Sequence, residues 1–79
     1  MTAITVALIV ASGDCKSARG QFAVGRRYTA AIAERVRKET HSRVVRVLKP
    51  GAVYTMEYAF GRVDIEIDKR GRVLRVRCG

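Results

Sequence analysis

The sequence is poor in the residues that most often perform chemistry. It has one histidine, His41, two cysteines, Cys15 and Cys78, and no tryptophan. A zinc site takes three or four nitrogen or sulfur ligands at close spacing, and no Cys-x-x-Cys is present to begin one. Gly20 and Gly25 lie too far from a Lys-Ser/Thr pair to cradle a phosphate. No nucleophile–base constellation can be assembled, so an enzyme is disfavoured, no cofactor or metal is expected, and a binding function is favoured. Acidic residues are scarce as well: seven Asp and Glu stand against sixteen Lys and Arg, giving a formal charge of +9 and a pI near 10.6. That excess makes nucleic acid, anionic membrane and acidic protein worth weighing as partners. A small basic nucleic-acid-binding module is the alternative to the function reached below. Against it, acidic residues share the strand face that carries Arg62, and neither a ribonucleoprotein aromatic motif nor a helix-turn-helix pattern is visible. No nucleic-acid partner is therefore expected.

Seventy-nine residues with 48% hydrophobic content make one small globular domain. A core of this size is marginal, and a covalent staple helps it. Cys15 and Cys78, both near the termini, read as one disulfide closing most of the chain, or else as two free thiols. In the chain-entropy model such a bridge is worth about 4 kcal/mol, given an oxidising compartment. From Ala3 to Ala11 there is no charge, but the stretch is too short to span a membrane. It is either the tail of an export signal, with Ala11-Ser12-Gly13 as a small-residue cleavage run, or a first strand over Ile4 to Val10. The expected organisation is thus residues 1–13 as signal remnant or N-terminal strand and 14–79 as a single domain. A secreted or periplasmic monomer with no membrane span is expected.

Residues 14–27 are polar and read as an irregular lead-in. Thr29 is a candidate N-cap for a helix from Ala30 to about Glu39, with Ile32, Ala33 and Val36 on one face. Tyr28 is placed to fold against Ala33 as a hydrophobic staple. Thr40-His41-Ser42 ends the helix, with His41 a solvated turn residue. Arg43 to Lys49 reads as a strand that Pro50-Gly51 breaks. From Arg62 to Asp68 the alternation is strict: Val63, Ile65 and Ile67 point one way, and Arg62, Asp64, Glu66 and Asp68 the other. After a turn at Lys69-Arg70-Gly71, Arg72 to Cys78 forms a last strand with Val73, Leu74 and Val76 to bury. The expected fold is α+β: one helix packed on a small mixed β-sheet, reached by a crossover. A long exposed connection completes it.

That connection, Ala52-Val53-Tyr54-Thr55-Met56-Glu57-Tyr58-Ala59-Phe60-Gly61, is apolar, β-prone and without the Asn-Gly chemistry of a tight hairpin. Exposed, it is a poor choice unless something binds it. As an ordinary strand with Met56 in the core, it is unremarkable. The run Leu48-Lys49-Pro50-Gly51, then Thr55-Met56-Glu57-Tyr58, then Arg62-Val63 and an alternating strand resembles the potato inhibitor I family of serine-protease inhibitors. Cys15 and the terminal Cys78-Gly79 are more similar to the bacterial and fungal relatives, in which one disulfide ties the ends together. The likeness is detailed over 47–79, looser over 24–46, and absent over 1–13.

The resemblance implies a protease-binding loop that acts as a substrate-like inhibitor of subtilisin-, chymotrypsin- or elastase-type enzymes. Met56 becomes the P1 residue in a hydrophobic S1 pocket, Glu57 P1′ and Thr55 P2, with Val53, Tyr54 and Tyr58 in neighbouring subsites. Arg62 and Arg77 match arginines that stiffen the loop from the sheet, Arg62 being placed to hold the Thr55 side and the Glu57 carboxylate. The family pattern has a further arginine two residues after Arg62. Here that position is Asp64, a departure from the plant pattern that leaves the support of the loop open, with Arg75 or a water as candidates to compensate.

Overall fold

A computed structural model describes residues 15–54 and 57–79. The segment read as signal remnant or first strand lies outside them. A 3-10 helix, Ser17–Ala23, comes first, then α1 (Ala30–Glu39), β1 (Val44–Leu48), β2 (Arg62–Ile67) and β3 (Val73–Cys78). The sheet order is β1-β2-β3, with β1 parallel to β2 and β2 antiparallel to β3. The fold is α+β, as the alternation of β2 and the periodicity of α1 predict.

The crossover is not the expected one. A parallel pair needs a connection of about a dozen residues, usually a helix, to carry the chain back to the starting end. Here α1 precedes both strands, and residues 49–61 make the return alone. The exposed connection is long because the parallel pairing demands it.

Helix α1 begins where its chemistry says. The Thr29 hydroxyl accepts the Ile32 N–H at 3.1 Å. It ends in a Schellman arrangement, with Ser42 N–H donating to Arg37 O at 2.9 Å and His41 N–H to Lys38 O at 3.2 Å. His41 takes the left-handed position, at φ 59°, that glycine usually fills. The Thr40 hydroxyl is buried, donates to Val36 O at 2.7 Å and meets the Ser42 hydroxyl.

The core lies between α1, the 3-10 helix and one face of the sheet: Ala23, Val36, Val63, Ile65, Val73 and Val76 are buried, with Tyr28, Ile32 and Ala33 half-buried against them. Two expectations fail here. The lead-in over 14–27 is not irregular throughout, because Ser17–Ala23 winds as a 3-10 helix. Its buried positions, Gly20 and Ala23, fall three apart, the period of that helix, and they are too small to register as an apolar stripe. Gly20 has no room for a side chain: a Cβ there stands 2.8 Å from Val76 Cγ1 and 2.9 Å from Thr40 Cγ2. The second failure is Leu74, which is 46% exposed. The register shifts between Glu66 and Ile67, so Ile67 faces Val73. That bulge turns Val73 inward and Leu74 out.

Candidate functional site

The pleat of β2 places Arg62, Asp64 and Glu66 on the sheet face away from the core. The register sets Arg46 of β1 and Arg77 of β3 on either side of Asp64. Asp64 is only 5% exposed. Its Oδ1 accepts from Arg62 Nε at 2.9 Å and its Oδ2 from Arg46 Nη2 at 3.0 Å. One buried carboxylate thus orients two guanidinium groups, each a rigid fork of donors.

Each arginine reaches one limb of the 49–61 connection. On the first limb the Arg46 guanidinium lies over the Tyr54 ring, 5.6 Å from its centre, and the Tyr54 hydroxyl accepts the Lys49 N–H at 3.0 Å. On the second limb Arg62 Nη2 donates to the Glu57 backbone oxygen at 3.2 Å and also to the Gly79 oxygen. The same Gly79 oxygen accepts the Ala59 N–H at 2.9 Å. Gly79 is itself anchored, because its neighbour Cys78 is disulfide-bonded to Cys15 with 5.6 Å between their Cα atoms. Gly61, buried at φ 78°, turns the chain from this limb into β2.

These contacts revise the expected bracing. Asp64 does not leave a gap in the support; it is what the supporting arginines hold. Arg75 does not compensate, since it pairs with Glu66 at 2.9 Å. Arg62 engages the Glu57 main chain, not the carboxylate proposed for it. Arg77 borders the cleft beneath the connection, together with Arg46, Val53 and Tyr58; its main chain pairs with Asp64 in the sheet, and its side chain makes no hydrogen bond or ion pair among the described residues. Thr55 and Met56, the expected P2 and P1 residues, lie outside the described residues. On either side of them Val53 is 97% and Tyr58 67% exposed, Glu57 is exposed and Tyr54 is half-buried.

Sequence reasoning missed Arg46 as a loop contact and Asp64 as its anchor. Both follow from the parallel register of β1 on β2, which the alternation of each strand alone does not state. Burying an ion pair costs desolvation that often cancels its attraction, so this cluster fixes geometry more than it adds stability. Among the described residues no group of His, Cys, Asp and Glu could hold a metal ion, and no helix is long and apolar enough to cross a membrane.

Three comparisons bear on this arrangement. The model of the peptidase inhibitor I78 family matches residues 15–79. Elastase inhibitor AFLEI of Aspergillus flavus is 33% identical over 58 residues, which cover 73% of this chain and 79% of that protein. Elastase inhibitor AFUEI of Aspergillus fumigatus is 33% identical over the same length and share of this chain. The match spans 62% of that relative, somewhat less than two thirds of its length. Among solved structures, that of elastase inhibitor AFUEI (crystal form II) is similar with a TM-score of 0.65 and 30% identity, covering 81% of this chain and 88% of that one.

Proposed function

We propose that this chain, which belongs to the peptidase inhibitor I78 family, blocks a serine endopeptidase of elastase, chymotrypsin or subtilisin type by presenting residues 53–58 as a substrate-like loop. Met56 is the P1 residue and Met56–Glu57 the bond offered for attack. Thr55 fills P2, and Val53, Tyr54 and Tyr58 meet the neighbouring subsites. The relatives named as elastase inhibitors and the likeness of Thr55-Met56-Glu57-Tyr58 to a potato inhibitor I loop support this reading. The observation that carries it is the bracing of both limbs, at Tyr54 and at Glu57, by arginines held on Asp64.

An inhibitor differs from a substrate chiefly in rigidity. A loop already held in its bound shape loses little conformational freedom on docking. The protease serine attacks the Met56 carbonyl carbon, and the leaving amine belongs to Glu57. Arg62 retains the Glu57 main chain, so that amine stays beside the acyl-enzyme and religation outruns hydrolysis. Methionine is unbranched and apolar, which suits a hydrophobic S1 pocket and not the acidic pocket of trypsin. The disulfide fits an oxidising compartment, hence secretion or the periplasm. Residues 14–79 act as one monomeric inhibitor domain.

An inhibition panel of elastase, chymotrypsin, subtilisin and trypsin tests the proposal. Inhibition is expected for at least one of the first three, and Met56→Lys is expected to weaken it by roughly a hundredfold. Full activity of all four enzymes, or plain digestion of the chain at Met56–Glu57, overturns it.

A further inference from the structure

Most of the few carboxylates in this chain are committed to its own architecture. Glu34 pairs with Arg37, Asp64 with Arg46 and Arg62, and Glu66 with Arg75. Asp68 accepts the backbone N–H groups of Arg72 and Arg70 at 2.9 and 2.8 Å. Those bonds, that from Arg72 first, hold its carboxyl below the usual carboxylate range. Asp68 also attracts Arg70 and Arg72 electrostatically, yet the cations at that end of the sheet outnumber it. Lys69 and Arg70 are exposed at the turn between β2 and β3. Beside them Arg27 and Arg72 face each other across an isolated bridge, a like-charge pairing that costs stability.

Lys69 and Arg70 border an open groove of about 540 Å³. Its apolar floor is Leu48, Ile67 and Leu74, the last turned outward by the bulge; Lys49, Lys69, Arg70 and Arg77 line it beside Glu66 and Asp68, whose carboxylates are already engaged by Arg75 and by the turn backbone. The groove runs along the first limb of the loop as far as Tyr54. An enzyme that grips the loop at Val53 and Tyr54 therefore meets the edge of this groove.

Resting on the inhibitory reading above, we infer that this groove is a second contact for the same protease, receiving an acidic segment of the enzyme surface with apolar residues at its centre. Nucleic acid fits less well, because the groove has an apolar floor and opens directly onto the proposed protease contact. The excess charge steers encounter and so acts on the association rate more than on dissociation. The inhibitor thereby selects acidic proteases among enzymes with equivalent S1 pockets.

The experiment measures association and dissociation rates with two subtilisin-type proteases, one of acidic and one of basic isoelectric point. It compares the unaltered protein with Lys69→Glu/Arg70→Glu, at roughly 20 mM and roughly 1 M salt. With the acidic enzyme at low salt the variant is expected to associate about tenfold more slowly, with dissociation unchanged and the difference gone at high salt. The unaltered protein alone provides the same test, since its association with the acidic enzyme must slow as salt rises. Equal rates at low salt, or equal slowing toward both enzymes, overturn the inference while leaving inhibition intact. So does unchanged protease association in a variant that has lost salt-sensitive binding to a single-stranded oligonucleotide. If the unaltered protein inhibits neither enzyme at any salt, the inhibitory reading fails and this inference with it.

Discussion

On the helix side of the sheet Val63, Ile65 and Val76 pack with Val36 and Ala23, whereas on the loop side β1 presents Arg46 and β2 presents Arg62, Asp64 and Glu66. The first face excludes water and supplies the hydrophobic stabilisation of a small domain. The second stays partly open, and its buried ion pairs add little net stability. What they add is direction, because a guanidinium bound to a fixed carboxylate can point its remaining donors along one line only. Stability and loop shape are thus assigned to opposite faces of one three-stranded sheet. Substitutions on the two faces should separate melting from inhibition.

The disulfide links the two faces and should show the largest effect. Replacing Cys15 and Cys78 together by serine is expected to cost about 4 kcal/mol in denaturant unfolding. It should also loosen the second loop limb through Gly79, so a variant kept folded at low temperature should be cut faster by its target. Ile65→Ala, wholly on the helix side, is expected to cost about 3 kcal/mol by the same measurement. Inhibition per folded molecule should be unchanged. If Ile65→Ala weakens inhibition beyond its loss of folded protein, the faces are not independent. The smallest effect is a gain: His41→Gly relieves a left-handed non-glycine residue and is expected to add about 1 kcal/mol without touching inhibition. A melting curve and one inhibition titration check both halves of that statement.

How much of this was legible in the sequence depended on the range of the interaction. Thr29 caps α1 within one turn, and Val63 and Ile65 alternate within one strand, so local pattern located both. The Ser17–Ala23 helix was hidden because glycine and alanine bury without looking hydrophobic. Leu74 was placed on the wrong side because a bulge leaves no mark in the alternation of its own strand. The part played by Asp64 was left open for a longer-range reason. It departs from a family pattern at a supporting position. Only the register that brings Arg46 beside it shows that a carboxylate there does the work of orientation, by holding two arginines instead of adding a third. The loop itself was found by composition, yet its length is explained by the parallel pairing of β1 and β2.

The most direct test of the account is the rate at which a target protease hydrolyses the Met56–Glu57 bond in Asp64→Asn, followed by mass spectrometry beside the inhibition constant. Arg46 and Arg62 then lose their common anchor, and both limbs are expected to slacken. Hydrolysis should be about tenfold faster and inhibition correspondingly weaker, with a smaller loss of melting temperature than Ile65→Ala causes. An Asp64→Asn protein that inhibits as tightly and is cut as slowly as the unaltered one would show that the anchored arginines do not hold the loop.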